Sequence, residues 1–138
     1  MENRIESNQK ILSFILAGKS IFTIRNEATG NRFTYKVKQV KTVFFVSLMF
    51  GTEFKFIGTI FDSDKFVLSK KSKISTGHKA FNWLFTRLIT DSSLETVTFW
   101  HEGKCGRCGR KLTVPESIQT GFGKECIKLS IKCNKVNI

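Results

Sequence analysis

The apolar positions of this chain change period twice within the first hundred residues. In IESNQKILSFIL, Ile5, Leu12, Ile15 and Leu16 share one helical stripe, widened by Ile11 and Phe14, and Gly18 stands where a helix would end. Most such stripes face a core, so this helix is expected to lie on a sheet rather than await a partner. From Ser20 the period becomes two. IFTIR, NEATGN and RFTYKVK read as a hairpin in which Phe33, Tyr35 and Val37 point one way and Arg32, Thr34, Lys36 and Lys38 the other. KTVFFVSLMF, closed by Gly51, and EFKFIGTIF, closed by DSDK before FVL, extend this to an antiparallel meander of four or five strands.

The helical period returns in FNWLFTRLI, where Phe81, Leu84, Phe85 and Leu88 have the spacing of a buried face. The basic connection SKKSKISTGHK before it is turn-rich and is expected to hold His78 in a loop. LETVTFW, residues 94–100, reads as a returning strand that delivers the chain to His101. The expected fold is α+β: an antiparallel sheet with two helices packed on it over residues 1–100, and a small C-terminal module over residues 101–138.

Composition supports one folded domain with a core. Hydrophobic residues make 41% of the 138, and phenylalanine occurs 14 times against one tyrosine, which excludes a disordered chain. Charge narrows the partners: 23 Lys and Arg against 11 Asp and Glu give +12, an attractive field for polyanions. The excess sits in residues 21–74, with ten basic and four acidic side chains, and in residues 101–138, with eight and three. The apolar run near the N-terminus is too short to span a bilayer and lacks a cleavage pattern, so neither a membrane segment nor secretion is expected.

In a reducing compartment clustered cysteines favour metal over disulfide, and three of the four cysteines lie in CGRCGRKLTVPESIQTGFGKEC, residues 105–126. Cys105 and Cys108 form a CxxC pair, and Gly106 and Gly109 relieve the tight turn that lets two thiolates hold one tetrahedral ion. Cys126 supplies a third thiolate if the chain folds back, and a capping box from Thr113 to Glu116, with Pro115 in the first turn and Gly121 as terminator, allows it. The fourth ligand is open between His101 and Cys133. On a helix Cys133 would lie about 10 Å from Cys126, so His101 is favoured. One structural Zn²⁺ per chain is the expected cofactor.

This segment resembles a short zinc-ribbon-like domain of unknown function found in many bacteriophage and prophage proteins. The resemblance rests on Cys105, Cys108, Gly109, Arg110, Leu112, Thr113, Pro115, Ser117, Ile118, Gly121, Gly123 and Cys126; Lys124 stands where the pattern has proline. AGKSIFTIRNEATGNRFTYKVK and the junction WHEGKCGRCGR are also similar to small phage proteins ending in this domain. The resemblance implies a phage or prophage setting in the cytoplasm of a bacterial host, supports His101 at the zinc site, and supplies no activity.

Nothing in the chain resembles a catalytic constellation. There is no phosphate-binding glycine loop and no nucleophile elbow, Asp62 and Asp64 read as turn chemistry, and the zinc ligands suggest a closed site, so no enzyme is expected. The expected function is nucleic-acid binding. Arg32, Lys36 and Lys38 line a strand face, Lys70, Lys71 and Lys73 a loop, and Arg107, Arg110 and Lys111 the knuckle, with Lys128, Lys132 and Lys135 beyond it. Trp83 or Trp100 would stack on unpaired bases. The alternative is a phage-encoded inhibitor of a host defence complex, such as an anti-CRISPR protein, acting on a protein or ribonucleoprotein. A sponge for a nucleotide signal is a third reading.

Overall fold

Ser7 decides where the first helix begins. In the computed structural model, which describes residues 3–70, 73–113, 118 and 120–123, Ser7 is extended and its hydroxyl accepts from the Lys10 N–H at 3.5 Å. Helix α1 therefore runs Asn8–Ile15, and Ile5, expected on its stripe, lies instead in a short strand β1, Arg4–Ile5. An N-cap of this kind satisfies helix N–H groups and forces the preceding residues out of the helix. The buried stripe is Ile11, Phe14 and Ile15, with Leu12 and Leu16 only partly covered.

The meander follows as β2 Lys19–Asn26, β3 Arg32–Val40, β4 Val43–Phe50, β5 Glu53–Phe61 and β6 Lys65–Leu68. Helix α2, Thr76–Ile89, comes next, and β7, Val97–His101, closes the described fold. β7 returns between β1 and β2, giving the sheet order β1-β7-β2-β3-β4-β5-β6 with every pairing antiparallel. The expected meander is thus five strands within a seven-stranded sheet, and the returning strand starts at Val97, three residues later than the pattern LETVTFW suggests.

Both helices cover one face. Phe14 packs edge-on to Phe99, Phe81 of α2 lies against Phe22 and Tyr35, and Phe22 stacks on Phe99 at 4.7 Å. Phe81, Leu84, Phe85 and Leu88 are all buried, as their spacing requires. The Tyr35 hydroxyl donates to the Gly77 carbonyl at 2.6 Å, which ties β3 to the first turn of α2. Among the described residues no element covers the opposite face of the sheet. No helix there is long and apolar enough to cross a membrane.

Candidate functional site

Past β7 the chain makes a small hairpin whose tip is the CxxC pair. Lys104 and Lys111 form an antiparallel bridge, the Cys105 N–H donates to the Arg110 carbonyl at 2.8 Å, and the Gly109 N–H returns to the Cys105 carbonyl at 2.8 Å. Gly109 sits at φ +77°, a left-handed turn that glycine adopts without strain. Gly106 is needed for contact: a methyl group there would lie 3.0 Å from the Phe14 ring. Its N–H bonds the Gly121 carbonyl and its carbonyl receives the Lys19 N–H, so the knuckle is fastened to α1 and β2. Cys105, Leu112 and Phe122 belong to the same buried cluster as Phe14 and Phe99.

Around Cys105 the turn aims donors at sulfur. Burial pushes this thiol up, but the backbone N–H groups of Gly123, Cys108 and Arg107 and the Cys108 thiol together pull it below its ordinary value. A sulfur in such a cradle is disposed to be thiolate, the form that binds a soft cation. Cys105 is buried, Cys108 is exposed, and both are free thiols. Among the described residues no group of three potential ligands comes together. Cys126 and Cys133 lie outside the described residues, as does the capping box proposed from Thr113 to Glu116; Gly121 has the positive φ, +81°, of a terminator.

His101 has a different setting from that of a free ligand. Its Nδ1 accepts the Gly103 N–H at 2.9 Å and its Nε2 faces the Ile118 carbonyl within hydrogen-bond contact. Both ring nitrogens are engaged by backbone, which makes the imidazole a buried strut between β7 and the segment around Ile118. Burial lowers its affinity for a proton, and the Ile118 carbonyl and Glu102 oppose this in part. The unfolded chain therefore binds a proton more readily than the folded one. Stability should be fully present above the ordinary imidazole value of 6.5 and fall as pH drops through it toward the lower folded value. Thermal denaturation between pH 7.5 and 5.5 checks this, and the decline should be shallower in His101→Gln.

The uncovered face of the sheet carries the other candidates. Across it run two rows set by strand register: Lys19, Lys38, Phe45 and Thr59 in one, and Ile21, Lys36, Ser47 and Phe56 in the next. The first row passes from basic on β2 and β3 to aromatic on β4, and the second from Lys36 on β3 to Phe56 on β5. Lys36, Lys38, Phe45 and Phe56 are exposed, and Phe45 and Phe56 meet edge to face at 5.7 Å. Lys36 Nζ stands 5.8 Å from the ring centre of Phe54, which keeps the cation over an aromatic surface. Arg32, opposite Arg25, extends the basic side.

Other predicted residues fall in two further places. Arg107, Arg110 and Lys111 are exposed on the knuckle, whose Gly109 lies beside the Lys19 side chain, so the knuckle adjoins the basic end of the first row. Lys70 and Lys73 are exposed beyond β6, at the far edge of the sheet; Lys71, Lys128, Lys132 and Lys135 lie outside the described residues. Trp100 is half-buried opposite Thr23, on the uncovered face, with its Nε1–H donated to Thr98 at 2.9 Å. Trp83 is on α2 beneath the Arg87 guanidinium. His78 is not in a loop. It occupies the first turn of α2, where its Nδ1 meets the Ser75 N–H at 3.1 Å and hydroxyl at 2.7 Å.

Sequence reasoning missed Lys19, Phe45 and Phe56. In VFFVSLMF both phases of the alternation are apolar except at Ser47, and in EFKFIGTIF the register shift opposite Val46 and Ser47 places Ile57 as an extra residue and breaks the period. Ser47 was the available signal, since one polar residue in an apolar strand marks the wetter face.

These features define an α+β protein with one helix-covered and one open sheet face, joined to a CxxC hairpin. Residues 98–129 match a family described as a family of unknown function (DUF6011), so the stretch from β7 through the knuckle belongs to an uncharacterised domain near the C-terminal end of the chain. No curated protein and no solved structure matches the chain.

Proposed function

We propose that this is a non-enzymatic, phage-type nucleic-acid-binding protein of the bacterial cytoplasm, which holds single strands on the open face of its sheet and is stapled at its C-terminal end by one zinc ion. The observation that carries the reading is the pair of cross-strand rows in which Lys38 stands opposite exposed Phe45, and Lys36 shares a row with exposed Phe56 across Ser47. Lysines neutralise phosphates without reading sequence, and rings accept the flat faces of unpaired bases. A duplex hides those faces, so the arrangement suits a single strand. The chain's net charge of +12 supplies the long-range attraction.

Zinc fits the donors present. Cys105 and Cys108 lie at the tip of a turn that presents N–H groups to sulfur, and Cys126 of the same matched segment would complete three thiolates. The engaged ring of His101 favours its role as a strut, which leaves Cys133 as the thiolate candidate for the fourth position provided the chain from Cys126 to Cys133 is not one continuous helix. Bound zinc would supply cross-linking of the hairpin to the segment beyond Gly123, with no catalytic part.

Titration of the zinc-loaded protein with a labelled 12-nucleotide single strand and with the duplex of the same sequence tests the reading. The single strand is expected to bind at least about tenfold more tightly at low salt. Equal or weaker binding than the duplex overturns the open-face assignment, and capture of a discrete host protein with no affinity for either nucleic acid would favour the defence-complex reading instead.

A further inference from the structure

The open face divides into two halves of different chemistry. On β2 and β3 it carries Lys19, Arg32, Lys36 and Lys38; on β4, β5 and β6 it carries Phe45, Met49, Phe56, Phe61 and Val67. Register places these five together: Phe45 is opposite Thr59 and Thr59 opposite Val67, Ser47 is opposite Phe56, and Met49 and Phe61 stand two residues along their strands from Ser47 and Thr59. All five are 37–53% exposed, and they form most of the exposed large hydrophobic side chains among the described residues. Ser47 and Thr59 between them are uncharged. Charge returns only at the far rim, where Lys65, opposite Phe61, is paired with Asp62 at 3.9 Å.

The area of this half matches a specific contact. A fully exposed phenylalanine offers about 200 Å², so at these exposures the five side chains present on the order of 400 Å² of apolar surface. Apolar patches of that size on soluble proteins are often contact sites. Two copies laid together on it would take about 800 Å² of apolar surface out of water. Interfaces are about 57% apolar, so the whole contact comes to about 1,400 Å², inside the roughly 1,200–2,000 Å² class of specific association.

Charge selects the partner and the arrangement. An uncharged patch offers an ionic partner nothing to pair with, whereas a second copy presents the same patch at the same size. The basic halves of two chains that each carry +12 repel, so they must stay apart. With the sheets face to face about 10 Å apart, a two-fold axis running along the strands sends the two basic halves to opposite sides of the pair. An axis across the strands would lay like charges on one another, which is costly.

We propose that the open face of β4, β5 and β6 is a self-association surface, on which two copies of this chain stack about a two-fold axis parallel to the strands. The second copy then covers Phe45 and Phe56, the rings that the nucleic-acid reading gives to bases. A single strand and a second copy therefore compete for the open face. The interface stands independently of the nucleic-acid reading; the competition rests on it.

Sedimentation equilibrium of the full zinc-loaded chain, as wild type, Phe61→Lys and Val67→Lys, with and without a saturating 12-nucleotide single strand, tests the surface. Phe61 and Val67 are exposed and are not among the residues assigned to the strand, so these changes leave the core and strand binding in place. The wild type is expected to dimerise with a dissociation constant in the micromolar range. Each lysine should weaken the dimer at least about tenfold while strand affinity is retained, and the strand should convert wild-type dimer to monomer. A wild type that stays monomeric up to about 0.5 mM overturns the proposal and leaves the face to another occupant, while strand binding by that monomer keeps the nucleic-acid reading. A dimer indifferent to both lysines associates through another surface and equally overturns it. A dimer broken by the lysines in a chain that binds no strand keeps the interface and overturns the nucleic-acid reading. A dimer that holds the strand without dissociating overturns the competition. If Phe61→Lys fails to fold, Val67→Lys decides alone.

Discussion

Replacing Cys105 with serine is expected to abolish binding of the proposed zinc ion and to cost on the order of 4 kcal/mol of folding stability, the largest effect of any single substitution considered. Two losses combine at this position. The thiolate is removed from a cradle of three N–H donors, and a smaller polar group is left in a fully buried place beside the Gly106 contact with Phe14. Cys108→Ser separates them, because Cys108 is exposed and its loss leaves the core untouched. Zinc content and denaturant midpoints with and without chelator are the measurements. Chelation should lower the midpoint of the wild type and leave both variants unmoved, with Cys105→Ser the less stable of the two. His101→Gln should retain its zinc in the same assay; its loss would return the imidazole to the ligand set.

The damage should spread beyond the knuckle. Phe14 packs against Phe99 and His101 on the sheet side and against Phe122 at 5.7 Å on the module side, so the C-terminal hairpin closes one end of the core. A module fastened by metal alone would unfold by itself. This one shares buried residues with the sheet, and its release should lower the cooperativity of the whole chain.

Changing both Lys36 and Lys38 to alanine is expected to weaken single-strand binding about tenfold or more at low salt while leaving the fold as stable as before. Both side chains are exposed, and the strand that carries them is anchored from the other face by Tyr35 and Val37. Phe45→Ala and Phe56→Ala should each cost about 1–3 kcal/mol of binding if a base stacks on the ring. Unlike the lysine changes, the ring changes should be nearly independent of salt. That contrast distinguishes a stacking surface from a merely basic one.

How much of this was legible beforehand depends on whether one side of an element was polar. β3 alternates cleanly, so Arg32, Lys36 and Lys38 were assignable to one face against Phe33, Tyr35 and Val37. β4 and β5 bury one face and expose phenylalanines on the other, so periodicity alone left the faces undivided there. α2 was visible from its buried residues, but its first turn was hidden because Ser75, Thr76 and Gly77 read as a turn, while the Tyr35 hydroxyl bond to the Gly77 carbonyl that holds it is long-range. The CxxC hairpin was plain from spacing. That His101 would use both nitrogens on backbone was not, since the partners Gly103 and Ile118 are defined only once the hairpin has folded back.

Whether Lys36 and Lys38 hold a single strand on the open face is decided by the salt dependence of binding, measured side by side for the wild type and the Lys36→Ala/Lys38→Ala variant. Each phosphate contact to a single strand contributes about 0.7 to the slope of log affinity against log salt. A steep wild-type slope is expected, shallower by about 1.4 in the double variant. Identical slopes and affinities for the two proteins, or no binding by the wild type at low salt, would contradict it.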